Sequence, residues 1–360
     1  MTINVTKPFL PPIEEYGEYL KGIWSREWLT NNGPLVNELE LQLKRLLGLD
    51  HLLYLTNGTV ALQLAIKALG LRGEVITTPF SYVATTSSLV WEGCTPVMAD
   101  ICPRTLNIDP DKIEEKLTEH TTAILATHVY GNPCDVDRIE GIARKHNVRV
   151  IYDAAHAFGT KVNGRSLFSY GDVSTTSFHA TKLFHTIEGG AVVTPDPELL
   201  RLMAQMRNFG HVSPTEFGAV GINGKNSEMH AAMGLCNLKY VPDILAKRRI
   251  LSSRYDEGLN GCAIRRPEIA KNCEYNYAYY AVVLESEEAL VSVLDVLHLH
   301  NIVPRRYFFP SLSELKYVHD QSAPISEDIS RRVLCLPLYN DLSFEEVDMI
   351  CRLIKRALRY

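Results

Sequence analysis

An α/β fold is predicted, in which a mostly parallel sheet carries helices on both faces and a smaller α/β domain follows. Short β-prone runs alternate with helix-period segments up to residue 194, the order expected of successive βα units. The chain has 360 residues, 46% of them hydrophobic, enough for one large core and a second smaller one. No internal repeat, low-complexity tract or long Gly/Ser linker separates the parts, so the two domains are expected to pack tightly.

Strand-like runs fall at residues 52–55, 75–77, 95–101, 123–129, 148–152, 173–178 and 191–194. Between them, residues 59–69, 83–92, 110–117 and 136–146 carry helical periodicity, with Asp109-Pro110 as a helix start. The charged run Lys247-Arg248-Arg249 then leads into a second region, with a strand at 279–284 and helices at 286–298 and 344–358. The domains are accordingly drawn as 1–245 and 246–360. In sheets of this kind ligands bind outside the carboxyl ends of the strands, which directs attention to the residues that follow each run.

Charge excludes some partners. Net charge is −5 and the Lys and Arg residues form no basic stripe, so nucleic acid is not expected as a partner. No long apolar span and no secretory signal pattern is read, and the eight cysteines contain no C-x-x-C pair; a cytoplasmic setting with no membrane contact is expected. The cysteines then act as small buried hydrophobes. The twelve histidines lack zinc-binding spacing, so no metal site is expected.

The chemistry centres on Lys182 and Asp153. An isolated lysine is ordinarily a solvated surface residue. Lys182, however, lies in S-F-H-A-T-K-L-F-H-T-I-E-G-G, on the connection between two core runs, and Asp153 directly follows the run at 148–152. An amine becomes a nucleophile near neutral pH only when its surroundings lower its pKa, and a pyridine-type electron sink needs an anion to keep its ring nitrogen protonated. Upstream, Thr56-Asn57-Gly58-Thr59 takes a strand through a Gly turn into an Ala- and Leu-rich helix, whose backbone N–H groups and dipole would meet a phosphate. No G-x-G-x-x-G or P-loop is present to indicate a dinucleotide or ATP. The combination points to a pyridoxal 5'-phosphate enzyme.

Six blocks follow in order: N-G-T-V-A-L, P-F-S-Y-V-A-T, Y-G-N-P-C-D-V-D, Y-D-A-A-H-A-F-G, S-F-H-A-T-K and E-G-G-A. With W-L-T-N-N-G-P at 28–34 and G-I-N-G-K-N-S-E-M-H-A-A-M-G-L at 221–235, the chain resembles the DegT-type nucleotide-sugar aminotransferases over almost its whole length. The resemblance implies a three-layer, mostly parallel sheet of PLP fold type I with a smaller C-terminal α/β domain. It implies that Lys182 holds the cofactor covalently and shuttles the proton, and that Asp153 pairs with the pyridinium nitrogen. It places His156 near the cofactor's phenolic oxygen and Tyr82 on the pyridine face, where a flat ring suits an aromatic neighbour. Gly58, Thr59 and Ser177 would hold the phosphate, with Asn223 reaching it from the neighbouring subunit of a homodimer with shared active sites. The chain departs from the family at Lys225, where Arg is frequent, and at Ile187, where Gly or Ala is frequent; both bear on substrate contacts.

Within that family, S-F-H-x-x-K followed by E-G-G-A resembles members that aminate C-4, whereas S-F-Y-P-x-K-N-L-G with G-D-x-G accompanies C-3. The expected reaction moves an amino group from L-glutamate to the C-4 keto group of a nucleotide-linked 4-keto-6-deoxy sugar, with dTDP favoured over UDP and GDP. The product would be dTDP-4-amino-4,6-dideoxyglucose, a sugar for lipopolysaccharide O-antigen or another surface glycan. Two half-reactions at one site imply ping-pong kinetics. The alternatives are a 3-keto sugar aminotransferase of the same family, a PLP-dependent sugar dehydratase, in which histidine typically replaces the lysine, and a non-catalytic binding protein.

Overall fold

A seven-stranded sheet forms the centre of the computed structural model, which describes residues 2–318 and 321–359. Its strands are β1 (Leu52–Leu55), β2 (Gly73–Thr77), β3 (Cys94–Met98), β4 (Thr121–Thr127), β5 (Arg149–Asp153), β6 (Val173–Ser177) and β7 (Gly190–Val193). They lie side by side in the order β1-β7-β6-β5-β4-β2-β3. Only β7 is reversed, pairing antiparallel with both β1 and β6; the remaining pairs are parallel.

Alternate side chains of each strand enter opposite cores, which is why these runs are apolar throughout rather than alternating. Leu52, Tyr54, Ile124, Val150 and Tyr152 face one side, where α2 (Pro34–Leu47), α5 (Pro110–Lys116), α6 (Val136–His146) and α8 (Glu228–Leu238) join them in one core. Leu53, Leu55, Ala123, Leu125 and Ile151 face the other, under α3 (Gly58–Ala68), α4 (Val83–Trp91) and α7 (Pro197–Met206). The result is the expected three-layer arrangement.

Two expected strands end early. The run at 95–101 stops at Met98, because the Asp100 carboxylate turns to accept the Ile101 amide at 2.8 Å. It also accepts the Ile325 and Ser326 amides, at 2.9 and 3.0 Å, at the start of α11 (Pro324–Arg332). The run at 123–129 stops at Thr127, and Val129–Gly131 forms a 3₁₀ turn.

A second, antiparallel sheet orders β8 (Ile264–Arg265), β9 (Tyr280–Leu284) and β10 (Val333–Leu336), with α10 (Glu287–Leu299) and α12 (Phe344–Arg359) packed on it. Ser286 starts α10 by accepting the Ala289 amide at 3.2 Å. The long helix α9 (Val241–Gly258) is shared: Val241 and Ile244 belong to the first core, Leu251 and Tyr255 to the second. The chain start is shared as well. Ile3 pairs in parallel with Ile302 and joins the second core, while α1 (Ile13–Arg26) lies against α8. No helix among the described residues is long and apolar enough to cross a membrane.

Candidate active site

The carboxyl ends of β1, β5 and β6 deliver Asn57–Thr59, Asp153 and Ser177 to one edge of the sheet. Asn57 is extended and its Oδ1 accepts the Val60 amide at 2.8 Å, which starts α3. The Gly58 and Thr59 amides then have no intrahelical acceptor and form, with the helix dipole, a seat for an anion. Two glycines make that seat possible. A Cβ on Gly58 would lie 2.9 Å from Ser177 Cβ, and one on Gly190, at the start of β7, would lie 2.4 Å from the Asn57 carbonyl. The turn therefore rests directly on the neighbouring backbone.

Asp153 is buried at the end of β5, and both its oxygens are held. Thr85 Oγ1, in the first turn of α4, donates to Oδ2 at 2.8 Å, and the Ala155 amide donates to Oδ1 at 3.1 Å. Behind Thr85, the Ser81 hydroxyl links Thr85 at 2.7 Å and Thr127 at 3.0 Å. Burial pushes the Asp153 carboxyl above its ordinary range, opposed by Thr85, the Ala155 amide and the charge of Lys182. Lys182 follows a tight turn, its amide donating to the His179 carbonyl at 2.9 Å. Burial brings its amine down to about 8, with Asp153 opposing and Arg305 reinforcing the shift. His156 is also buried, which holds its ring well below the ordinary histidine range and keeps it neutral. Its Nδ1 accepts the Tyr130 amide at 3.3 Å.

Gly58, Thr59, Tyr82, Asp153, His156, Ser177 and Lys182 line a single cleft. Tyr82 stands half-exposed on its wall as the residue preceding α4. Asn223 does not line the cleft of its own chain. Its side chain is exposed on a loop and accepts a hydrogen bond from Lys225 Nζ at 2.8 Å. Sequence reasoning missed Thr85 and Ser81, although both lie in a quoted block, and assigned no role to His179 and Glu188 beside the lysine. It also missed Arg305, Tyr307 and Phe308, which the second domain brings to the cleft and which no local signal marks.

These residues fit pyridoxal 5'-phosphate. The amide seat at Gly58 and Thr59 and the Ser177 hydroxyl suit its phosphate, the doubly held Asp153 suits its protonated ring nitrogen, and the amine of Lys182 suits its aldehyde.

Comparison with known proteins agrees with that chemistry. Residues 13–355 match the DegT/DnrJ/EryC1/StrS aminotransferase family. The chain is 42% identical to the dTDP-4-amino-4,6-dideoxy-D-glucose transaminase of Shigella dysenteriae and 39% identical to that of Escherichia coli, each over 98% of both chains. Its fold matches DesI, solved in the presence of its TDP-sugar product, with a TM-score of 0.94 and 35% identity over 99% of this chain and 93% of that one. The three layers are thus those of PLP fold type I, and the chain belongs to the DegT/DnrJ/EryC1/StrS family as a pyridoxal 5'-phosphate-dependent aminotransferase.

Proposed function

We propose that the protein transfers the amino group of L-glutamate to the C-4 keto group of dTDP-4-keto-6-deoxyglucose, giving dTDP-4-amino-4,6-dideoxyglucose. The observation that carries this reading is the loop from Ser177 to Gly190, which sets His179 and Glu188 in the same cleft as Lys182 and Asp153. The naming of the Shigella and Escherichia relatives for this C-4 chemistry supports it.

When bound, the cofactor supplies an aldehyde that takes the donor's amine and a ring that accepts the electron pair left by the departing α-proton. Asp153 keeps the proton on the ring nitrogen, and Thr85 and the Ala155 amide fix the orientation of its carboxylate. Lys182, with an amine near 8, removes the proton from the donor's α-carbon in one half-reaction and delivers one to sugar C-4 in the other. Gly58, Thr59 and Ser177 would hold the phosphate, Tyr82 would cover the ring face, and His156 would stand by the phenolic oxygen.

The same reading includes a homodimer with shared sites, in which Asn223 reaches the neighbouring subunit's phosphate. The exposure of Asn223 outside its own cleft supports this. It also includes a cytoplasmic location, a product destined for lipopolysaccharide O-antigen or another surface glycan, and domains at 1–245 and 246–360. Incubation of the purified protein with glutamate and dTDP-, UDP- and GDP-linked keto sugars, with NMR of the aminated carbon, tests the reaction. Amination at C-3, or turnover with UDP or GDP sugars only, overturns it.

A further inference from the structure

One cleft has to admit, in alternation, a dicarboxylate amino acid and an uncharged hexose ring, and both react at Lys182. We propose that the cleft sorts these two substrates by charge: Glu188, backed by His179, accepts a hydrogen bond from a sugar hydroxyl, while Arg305 takes the α-carboxylate of the amino donor. The inference rests on the reading above and adds the residues that tell its two substrates apart.

Glu188 is aimed into the cleft by a strained turn. The preceding residue, Ile187, has φ of 68°, a left-handed conformation that a β-branched side chain disfavours. Its surroundings over-determine it. The Ile187 amide donates to His185 Nδ1 at 3.2 Å, and the Glu188 carbonyl accepts both Thr186 Oγ1 at 2.8 Å and Asn226 Nδ2 at 3.0 Å. The same Asn226 amide group reaches the Tyr54 hydroxyl at 3.0 Å, which ties the turn to the buried sheet. The main chain is therefore fixed, and the carboxylate is left facing the cleft with 53% of its side chain exposed.

His179 completes this pole. Its Nδ1 accepts the Thr181 amide at 3.2 Å, so the ring hydrogen sits on Nε2, and Nε2 lies 3.4 Å from Glu188 Oε1. One carboxylate oxygen thus faces a donor, and the other has no hydrogen-bond partner among the described residues. A hydroxyl can donate to it. A carboxylate cannot, and like charge repels it.

Arg305 brings a positive charge to the same cleft from the second domain. Its backbone is clamped to β10, donating to the Cys335 carbonyl at 3.0 Å and accepting the Cys335 amide at 2.8 Å. Its guanidinium lies 4.6 Å from the centre of the Tyr307 ring, which lines the same cleft. Among the described residues no carboxylate lies within 4.0 Å of it, whereas its neighbour Arg306 is paired with Glu287 at 3.0 Å. The charge of Arg305 is felt at the Lys182 amine. Arg305 and Lys182 line the same cleft, so an anion held by the guanidinium shares it with the reacting nitrogen. The donor's α-carboxylate satisfies this, being on the carbon that bears the amine, while the sugar's diphosphate is attached across the ring from C-4.

The test uses the holoenzyme and measures each half-reaction alone by the visible absorbance of the cofactor. Glutamate and dTDP-4-amino-4,6-dideoxyglucose both start from the same pyridoxal form, so a loss of cofactor affects the two equally. Glu188→Gln is expected to slow the sugar reaction roughly 10- to 100-fold, the worth of one hydrogen bond to a charged group, and to leave glutamate within about 3-fold. Arg305→Gln is expected to do the reverse by a similar factor, and Arg305→Lys to recover part of the loss, since it keeps the charge but not the fork. The proposal is overturned if either variant slows both half-reactions equally, or if Arg305→Gln spares glutamate and slows the sugar, which would assign the guanidinium to the diphosphate. Should the unmodified enzyme react with glutamate but not with the dTDP sugar, the substrate reading fails, and the sugar arm is run with the amino sugar it does accept.

Discussion

Thr85 Oγ1 donates to Asp153 Oδ2 at 2.8 Å, across the junction between α4 and the end of β5. This bond favours the ionised carboxylate, whose burial otherwise raises its pKa. Thr85→Val removes it without changing shape much. The carboxyl then moves further up, and because Asp153 has to be ionised to hold the ring proton, the acid limb of the pH–rate profile moves to higher pH. We expect kcat/KM near neutrality to fall about 10-fold. An unmoved acid limb would falsify this role for Thr85.

The amine of Lys182 near 8 makes a prediction about cofactor loading. Covalent capture requires the neutral amine, so the rate at which the cofactor-free protein takes up pyridoxal 5'-phosphate should rise with pH through about 8. Asp153 stabilises the charged amine, so Asp153→Asn shifts the midpoint down. Arg305 destabilises it, so Arg305→Gln shifts the midpoint up. Stopped-flow absorbance at a series of pH values checks both signs, and a shift in the wrong direction for either variant contradicts the charge arrangement.

Gly190→Ala places a Cβ 2.4 Å from the Asn57 carbonyl, a backbone group that cannot swing aside. The turn carrying the Gly58 and Thr59 amides must move, and cofactor affinity should fall at least about 10-fold, the loss expected of one or two charge-assisted hydrogen bonds. Equilibrium dialysis against pyridoxal 5'-phosphate measures it. Unchanged affinity would mean that the phosphate is held elsewhere.

Lys182→Ala should abolish turnover while still binding cofactor, since the phosphate and ring contacts survive. Mixed with a severe Asn223→Asp variant, it should regain partial activity, because one site of each mixed dimer then holds both native residues. Co-purification of differently tagged chains shows whether mixed dimers form. If they form and remain inactive, the shared-site arrangement is wrong.

The sequence made the meeting of Lys182 and Asp153 in one cleft legible because both follow strand runs that the hydrophobic pattern marks directly. Thr85 lay in a quoted block, but its role exists only once the first turn of α4 is set against the end of β5, a relation no local pattern encodes. Arg305 carried no signal at all, since the second domain brings it to the cleft. The strand run at 95–101 reads long because nothing in an apolar run shows that Asp100 will turn to cap a helix from distant sequence. The charged run at 247–249 reads as the lead into a second region, yet it lies inside α9, where Arg248 is 4% exposed and donates to the Ala278 carbonyl at 3.0 Å.

That helix has a mechanical consequence. An 18-residue rod about 27 Å long, with its front turns embedded in one core and its rear turns in the other, is not a free pivot. The strand at Ile3 laces the two bodies a second time. Jaw-like opening would have to break helical hydrogen bonds or pull that strand loose, so the enzyme behaves as a rigid socket whose two substrates exchange through its mouth. Widening its substrate range is then a matter of recutting the rim, at residues such as Glu188 and Arg305, rather than of loosening a hinge.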